Sequence, residues 1–78
     1  MLKKTLKLVI TFHTTTEAMA MEAICKETQA EGRLIPVPRV ISAGCGLAWC
    51  ASPESEQALV DLMGRHSLTP QGIHHCLV

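Results

Sequence analysis

Aromatic side chains and net charge are both scarce in this 78-residue chain. It has one Phe, one Trp and no Tyr, and its seven Lys and Arg residues balance seven Asp and Glu residues. Nucleic-acid-binding domains usually carry a strong positive charge, and single-strand binders stack bases on aromatic rings. The chain has neither feature, so the composition argues against nucleic acid as a partner.

The sequence also lacks the common motifs of nucleotide binding and hydrolysis. It contains no glycine-rich phosphate loop, no nucleophile elbow and no suggestively placed pair of carboxylates. A chain this short buries only about 60% of its unfolded surface, which leaves little room for a large cofactor. We therefore expect a single domain over residues 1–78, no cofactor, and no conventional hydrolase or transferase activity.

The sequence also lacks a long hydrophobic run. The amino end faintly resembles a signal peptide, but Lys7 interrupts the apolar stretch and polar residues follow from His13. No stretch approaches the length of a membrane span, so we expect a cytoplasmic protein without a membrane partner. In a reducing compartment, four cysteines favour thiol chemistry or metal binding over disulfides.

The hydrophobic pattern of the first half predicts a strand, a helix and a second strand. Residues 4–12 alternate between apolar and polar side chains, which is typical of a strand. A capping box from Thr14 to Glu17 opens a helix that runs to about Ala30, and Gly32 is its expected C-terminal cap. Arg33 to Ala43 forms the second predicted strand, which its two prolines place at a sheet edge or bulge.

The second half predicts two further strands around a helix. Leu47 to Ala51 is a short strand, and Ser52 and Pro53 open a helix as N-cap and first helical residue. Ile73 to Val78 forms the last strand. This order predicts an α+β, ferredoxin-like βαββαβ fold, an antiparallel sheet with both helices on one face.

The segment Gly44-Cys45-Gly46 carries the strongest candidate for chemistry. Glycines on both sides allow a sharp turn and a close approach of backbone to a ligand, which favours an exposed thiol at Cys45. Arg39 is a candidate for binding an anion beside it. The alternatives are a tight turn that happens to contain Cys45, and a purely structural role for the proline-rich stretch ending in Arg39.

The other cysteines carry weaker signals. Cys50 lies five residues beyond Cys45, across a turn, and is a candidate resolving thiol for it. Its alternative role is that of a small buried side chain on a strand. Cys25 lies at the margin of the first helix's apolar stripe, where we expect it to contribute packing only.

A metal site is not predicted. His74 and Cys76 share one face of the last strand, and His75 points to the other because neighbouring strand residues alternate. No paired ligand spacing supports a zinc site. Ferredoxin-like metallochaperones place Cys-x2-Cys after the first strand, and this chain has no cysteine there.

Several of these motifs together resemble those of one protein family. The run from Leu34 to Ala48, with Ile-Pro-x-Pro-Arg followed by Gly-Cys-Gly, resembles the small selenium/sulfur carrier-like proteins, and so do Phe12-His13-Thr14-Thr15 and the Ala18-Met19 helix start. The resemblance implies a bacterial protein of sulfur or selenium metabolism. Cys45 matches the family's Cys-Gly motif and, by that resemblance, would hold sulfane sulfur or selenium as a persulfide or selenopersulfide.

The main functional hypothesis is a carrier protein that does not turn over a substrate by itself. The chain would stand between a donor protein and an acceptor protein, with Cys45 as carrier, Cys50 as second thiol, and Arg39, Gly44 and Gly46 as binding residues. The alternative is a small-ligand-binding or regulatory protein–protein interaction module, because ferredoxin-like domains often bind small ligands or associate through sheet edges into homo-oligomers. Fold alone does not decide between the two.

Overall fold

The computed structural model describes residues 5–41 and 46–77. Within them the chain forms strand β1 (Leu6–Thr11), helix α1 (Thr15–Thr28), strands β2 (Arg33–Pro36) and β3 (Leu47–Ala51), helix α2 (Glu56–Arg65) and strand β4 (Gly72–Leu77). A 3₁₀ turn, Pro53–Ser55, immediately precedes α2.

The strands form an antiparallel sheet in the order β2-β3-β1-β4. Leu8 of β1 pairs with Ala51 on one side and His75 on the other. Since side chains alternate along a strand, Leu8 and Ile10 face one side of the sheet, and Lys7 and Val9 face the other. The predicted α+β class and antiparallel sheet are confirmed.

Both helices pack against the Leu8 face of the sheet. Helix α1 buries Ala18, Met21 and Cys25, at the helical spacing that lines up one side. Helix α2 buries Leu59, Leu62 and Met63. These six side chains join one buried cluster with strand residues that include Leu8, Ile10, Trp49 and Ala51.

The segment that follows β2 covers part of the opposite face. Val9 and Ala48 are fully buried there, and Ile41 packs against them. Ile41 reaches them through a turn in which its N–H donates to the carbonyl of Pro38 at 3.0 Å. The predicted second strand, Arg33 to Ala43, is therefore too long, because the chain leaves the sheet after Pro36; residues 42 and 43 lie outside the described ones.

The predicted start of α1 is confirmed and its predicted end is wrong. The Glu17 N–H donates to Thr14 Oγ1 at 3.2 Å, and the Thr14 N–H donates to Glu17 Oε1 at 3.1 Å, which completes the capping box. The C-cap is Gln29, with φ 60°, rather than Gly32. Gly32 takes φ 122° for another reason, since it lies against Trp49 and the Cys50 carbonyl.

Ser52 is the N-cap residue of the 3₁₀ turn and Pro53 is its first residue, as predicted, but the Ser52 side chain makes no capping hydrogen bond. Its hydroxyl instead donates to Glu31 Oε2 at 2.6 Å, which ties the segment after α1 to the segment after β3. None of the helices in the described residues is long and apolar enough to cross a membrane.

Candidate functional site

The sheet face opposite the helices carries a row of four side chains from four different strands. Arg33 of β2 pairs with Cys50 of β3, Cys50 pairs with Val9 of β1, and Val9 pairs with His74 of β4. Directly paired residues on one face have Cβ atoms roughly 4.5–5.5 Å apart. The guanidinium-bearing side chain of Arg33 is therefore the immediate neighbour of the Cys50 thiol.

Lys7 and Cys76 occupy the next row of the same face. They pair with each other across β1 and β4, and Lys7 is two residues from Val9, the partner of Cys50. Lys7 is thus a diagonal neighbour of Cys50, at a Cβ separation of roughly 7–8 Å. The thiol lies between a cationic side chain on β2 and another on β1.

A cleft of about 270 Å³ opens at this point, and Cys50, Lys7, Arg33, Glu31 and Ser52 contribute to its lining. The Cys50 residue is only 9% exposed. Among the described residues, its sulfur has no hydrogen-bond partner. The cleft therefore combines a largely buried, unpartnered thiol with side chains of both charges.

Glu31 is held against the wall of this cleft by serine hydroxyls. The Ser52 hydroxyl and the Ser55 hydroxyl both donate to its carboxylate, and the Ser52 N–H donates to Oε1 at 3.2 Å. The hydrogen bonds from Ser52 and Ser55, followed by a smaller effect of the Lys7 charge, lower the pKa of Glu31 below its ordinary value. The carboxylate stays ionised and directed at the serines.

The remaining described thiols differ sharply from Cys50. Cys25 is buried in the core under α1, where desolvation raises the pKa of its thiol to about 11. Cys76 is partly buried beside Val9 and Ala48. The sheet spacing separates the Cα atoms of Cys50 and Cys76 by roughly 12 Å. A disulfide requires less than about 7 Å, so these two cannot pair within one chain.

The histidines of β4 divide between the two faces, as alternation predicts. His75 pairs with Leu8 on the helix side, and its Nε2 lies 2.8 Å from Glu56 Oε1. His74 and Cys76 lie on the opposite face. Within the described part of the chain, no three His, Cys, Asp or Glu side chains are grouped so as to hold a metal ion.

Comparison with protein families finds a match over most of the chain. The family described as "Putative Se/S carrier protein-like" matches residues 7–75. The chain belongs to this family. The match includes Gly44-Cys45-Gly46 and confirms the resemblance that these motifs carry. No curated protein and no solved structure shows significant similarity to the chain.

Only some of the site residues that the sequence predicts in this Se/S carrier-like chain lie among the described residues. Cys45 and Gly44 lie outside the described residues, so their roles stay predictions. Arg39 is exposed in the turn from Pro38 to Ile41. Gly46 has φ 78°, a conformation that favours glycine, and its carbonyl accepts the Val37 N–H at 3.0 Å.

Sequence reasoning missed the neighbours of Cys50 in this family member. Lys7, Arg33, Glu31 and Ser52 come from separate segments, and the sheet register brings them together. One signal was present, because alternation in the first strand already put Lys7 on the face opposite the apolar residues. The pairing of Arg33 with Cys50 had no comparable signal.

Proposed function

We propose that this protein is a carrier that holds sulfane sulfur or selenium on Cys45 and relays it to an acceptor protein. The observation that supports the proposal is the family match over residues 7–75, which spans the Gly-Cys-Gly segment. The thiol itself provides the chemistry, so no cofactor is required. In this proposal the donor and the acceptor are both proteins of the cytoplasm.

The surroundings of the other thiols favour Cys45 as the carrier. Cys25 is buried, and with a pKa of about 11 its thiol stays protonated at neutral pH. A protonated thiol is a poor nucleophile, because the thiolate is the reacting form. Cys50 lines the cleft and acts in this proposal as the second thiol, which exchanges with the group carried on Cys45.

A ferredoxin-like assignment of the fold is part of the same proposal. The order of elements and the antiparallel sheet β2-β3-β1-β4 support it, as do the side chains of both helices in one core. Such a domain is small enough to dock between two larger proteins. Arg39, exposed in the turn before Ile41, would contact the anionic persulfide or a partner's acidic side chain.

The test is the intact mass of the protein after incubation with glutathione persulfide. Attack of the Cys45 thiolate on the outer sulfur gives a Cys45 persulfide and releases glutathione, so wild type should gain the mass of one sulfur. Cys45→Ser should not show this gain in mass, whereas the matched control Cys76→Ser should still show it. Equal loading of wild type and Cys45→Ser would refute the carrier role of Cys45.

An interaction module is the second candidate, favoured by apolar side chains on the β4 edge of the sheet. Ile73 and Leu77 of β4 and Leu6 of β1 are exposed. Under this alternative the chain self-associates or binds a partner through that edge, and Cys45→Ser keeps full activity. Light scattering after gel filtration, on wild type and on Leu77→Lys, separates it from the carrier proposal.

A further inference from the structure

The cleft beside Cys50 has the features of an anion site as well as those of a reactive thiol. Arg33 pairs directly with Cys50, and Lys7 is its diagonal neighbour on the same face. Among the described residues that line the cleft, Glu31 is the acidic one. Its carboxylate already accepts hydrogen bonds from Ser52 and Ser55. Lys7 also acts on the Glu31 carboxylate, so the three charged side chains leave the lining with one net positive charge to attract an anion.

The largely buried Cys50 thiol lies in the wall of this cleft. The Cys50 residue is 9% exposed, lines the cleft and has no hydrogen-bond partner among the described residues. A volume of about 270 Å³ accommodates an ion of the size of sulfate with bound water, and is small for a nucleotide or a peptide. Size and charge together point to a small inorganic anion.

We propose that this cleft binds a small anion carrying a sulfane sulfur, of the thiosulfate type, and that Cys50 accepts its outer sulfur. The choice of a sulfur-bearing anion rests on the proposed carrier function, whereas the anion site rests on the cleft alone. Arg33 and Lys7 hold the oxygen atoms of the ion by charge-assisted hydrogen bonds. The outer sulfur then faces the Cys50 thiol.

The transfer balances without an external oxidant. The Cys50 thiol loses its proton to solvent, and the thiolate attacks the outer sulfur of thiosulfate. The sulfur–sulfur bond of thiosulfate breaks, and sulfite leaves with the bonding electron pair. A new sulfur–sulfur bond makes Cys50 a persulfide. Arg33 and Lys7 offset the negative charge that develops on the departing sulfite.

Cys76 provides a comparison within the same protein. It also pairs with Lys7, but it does not line the cleft, and two strands, β3 and β1, lie between it and Arg33. If a nearby lysine were sufficient, thiosulfate would load Cys50 and Cys76 alike. If the cleft is the site, Cys50 is loaded preferentially.

The experiment uses the full chain with Cys45→Ser, so that loading of Cys45 does not contribute. The protein is incubated with thiosulfate, persulfides are trapped by alkylation, and peptide masses locate the added sulfur. We expect it on Cys50, with a rate about tenfold lower in Lys7→Gln and in Arg33→Gln, because each removes one charge-assisted contact. Arg65→Gln, an exposed residue at the end of α2, is the matched control and should load like its parent.

A second measurement does not depend on any variant. Sulfate has the shape of thiosulfate and no transferable sulfur, so it should slow the reaction of iodoacetamide with Cys50 but not with Cys76, relative to chloride at equal ionic strength. Three results would each overturn the proposal. Lys7→Gln and Arg33→Gln could load as fast as their parent, the sulfur could be found on Cys76 instead of Cys50, or sulfate could give no protection. Failure of the carrier function is seen separately, as no loading of Cys45 by glutathione persulfide in Cys50→Ser.

Discussion

At the scale of the residue, thiols of identical chemistry have different surroundings. Cys25 is surrounded by the helix-side core, Cys76 by apolar side chains of the opposite face, and Cys50 by two cations and a cleft. Sequence context does not reveal this difference, because Cys50 stands between Trp49 and Ala51 and looks like a small buried residue. The pairing partner on the next strand decides its environment.

Gly32 is the residue whose replacement should affect the cleft most. Its φ of 122° is unfavourable for any side chain, and a Cβ there would collide with Trp49 Nε1 and lie 2.7 Å from the Cys50 carbonyl oxygen. Gly32→Ala should also disturb the hydrogen bond from Trp49 Nε1 to the Glu31 carbonyl, 3.0 Å long. We expect a loss of about 2–4 kcal/mol in the free energy of unfolding. Urea denaturation followed by Trp49 fluorescence measures it.

Gly64 provides the matched control for that substitution. It lies in α2, and a Cβ built on it meets nothing within 4 Å. Gly64→Ala should stabilise the protein by about 0.5–1 kcal/mol, because alanine restricts the unfolded chain and favours the helix. Equal effects of the two substitutions would contradict the collision at Gly32.

At the scale of the element, the sequence predicted those features that local chemistry decides. The strand Leu47–Ala51 and the Thr14 capping box are found as predicted. The ends of α1 and β2 were mispredicted, because contacts with other segments decide them. The register of β2 on β3 could not be predicted, since residues 37–46 are too long a connection to impose one. The pairing of Arg33 with Cys50 depends on that register.

Glu31 connects the segment after α1 to the segment after β3, and the stability that this connection adds should depend on pH. Hydrogen bonds from Ser52 and Ser55 lower the pKa of Glu31 in the folded protein from an ordinary value of 4.5. A lowered folded pKa adds stability that is present above the unfolded pKa and is lost as the pH falls through the folded pKa. Glu31→Gln should therefore cost about 1 kcal/mol or less at neutral pH, since solvent screens the site, and this difference should shrink in acid.

Urea denaturation at several pH values tests the prediction for Glu31. Glu27→Gln is the control, because Glu27 is an exposed glutamate of α1. Its stability difference from wild type at each pH shows how much of the effect comes from removing one negative charge from the chain. A cost of Glu31→Gln that stays constant down to acid pH would show that the serine hydrogen bonds do not favour the ionised carboxylate.

At the scale of the whole molecule, the two faces of the sheet are covered unequally. The helices bury one face, whereas Val37 and Ile41 cover only the part of the other face around Val9 and Ala48. The part of that face that no described segment covers carries Lys7, Arg33 and the cleft beside Cys50. Partial cover thus lets one small sheet have both a second apolar cluster and an open polar site.

Substitutions at two adjacent positions test whether the segment after β2 stabilises this face of the sheet. Ile41 is 9% exposed and packs against Val9 and Ala48, whereas Val40 is 84% exposed. Ile41→Ala should lower the free energy of unfolding by about 2 kcal/mol, because it removes buried methyl groups from the second cluster. Val40→Ala should change it by less than about 0.5 kcal/mol. Equal and small effects at both positions would mean that the segment after β2 does not stabilise this face in solution, and that the sheet is covered by its helices alone.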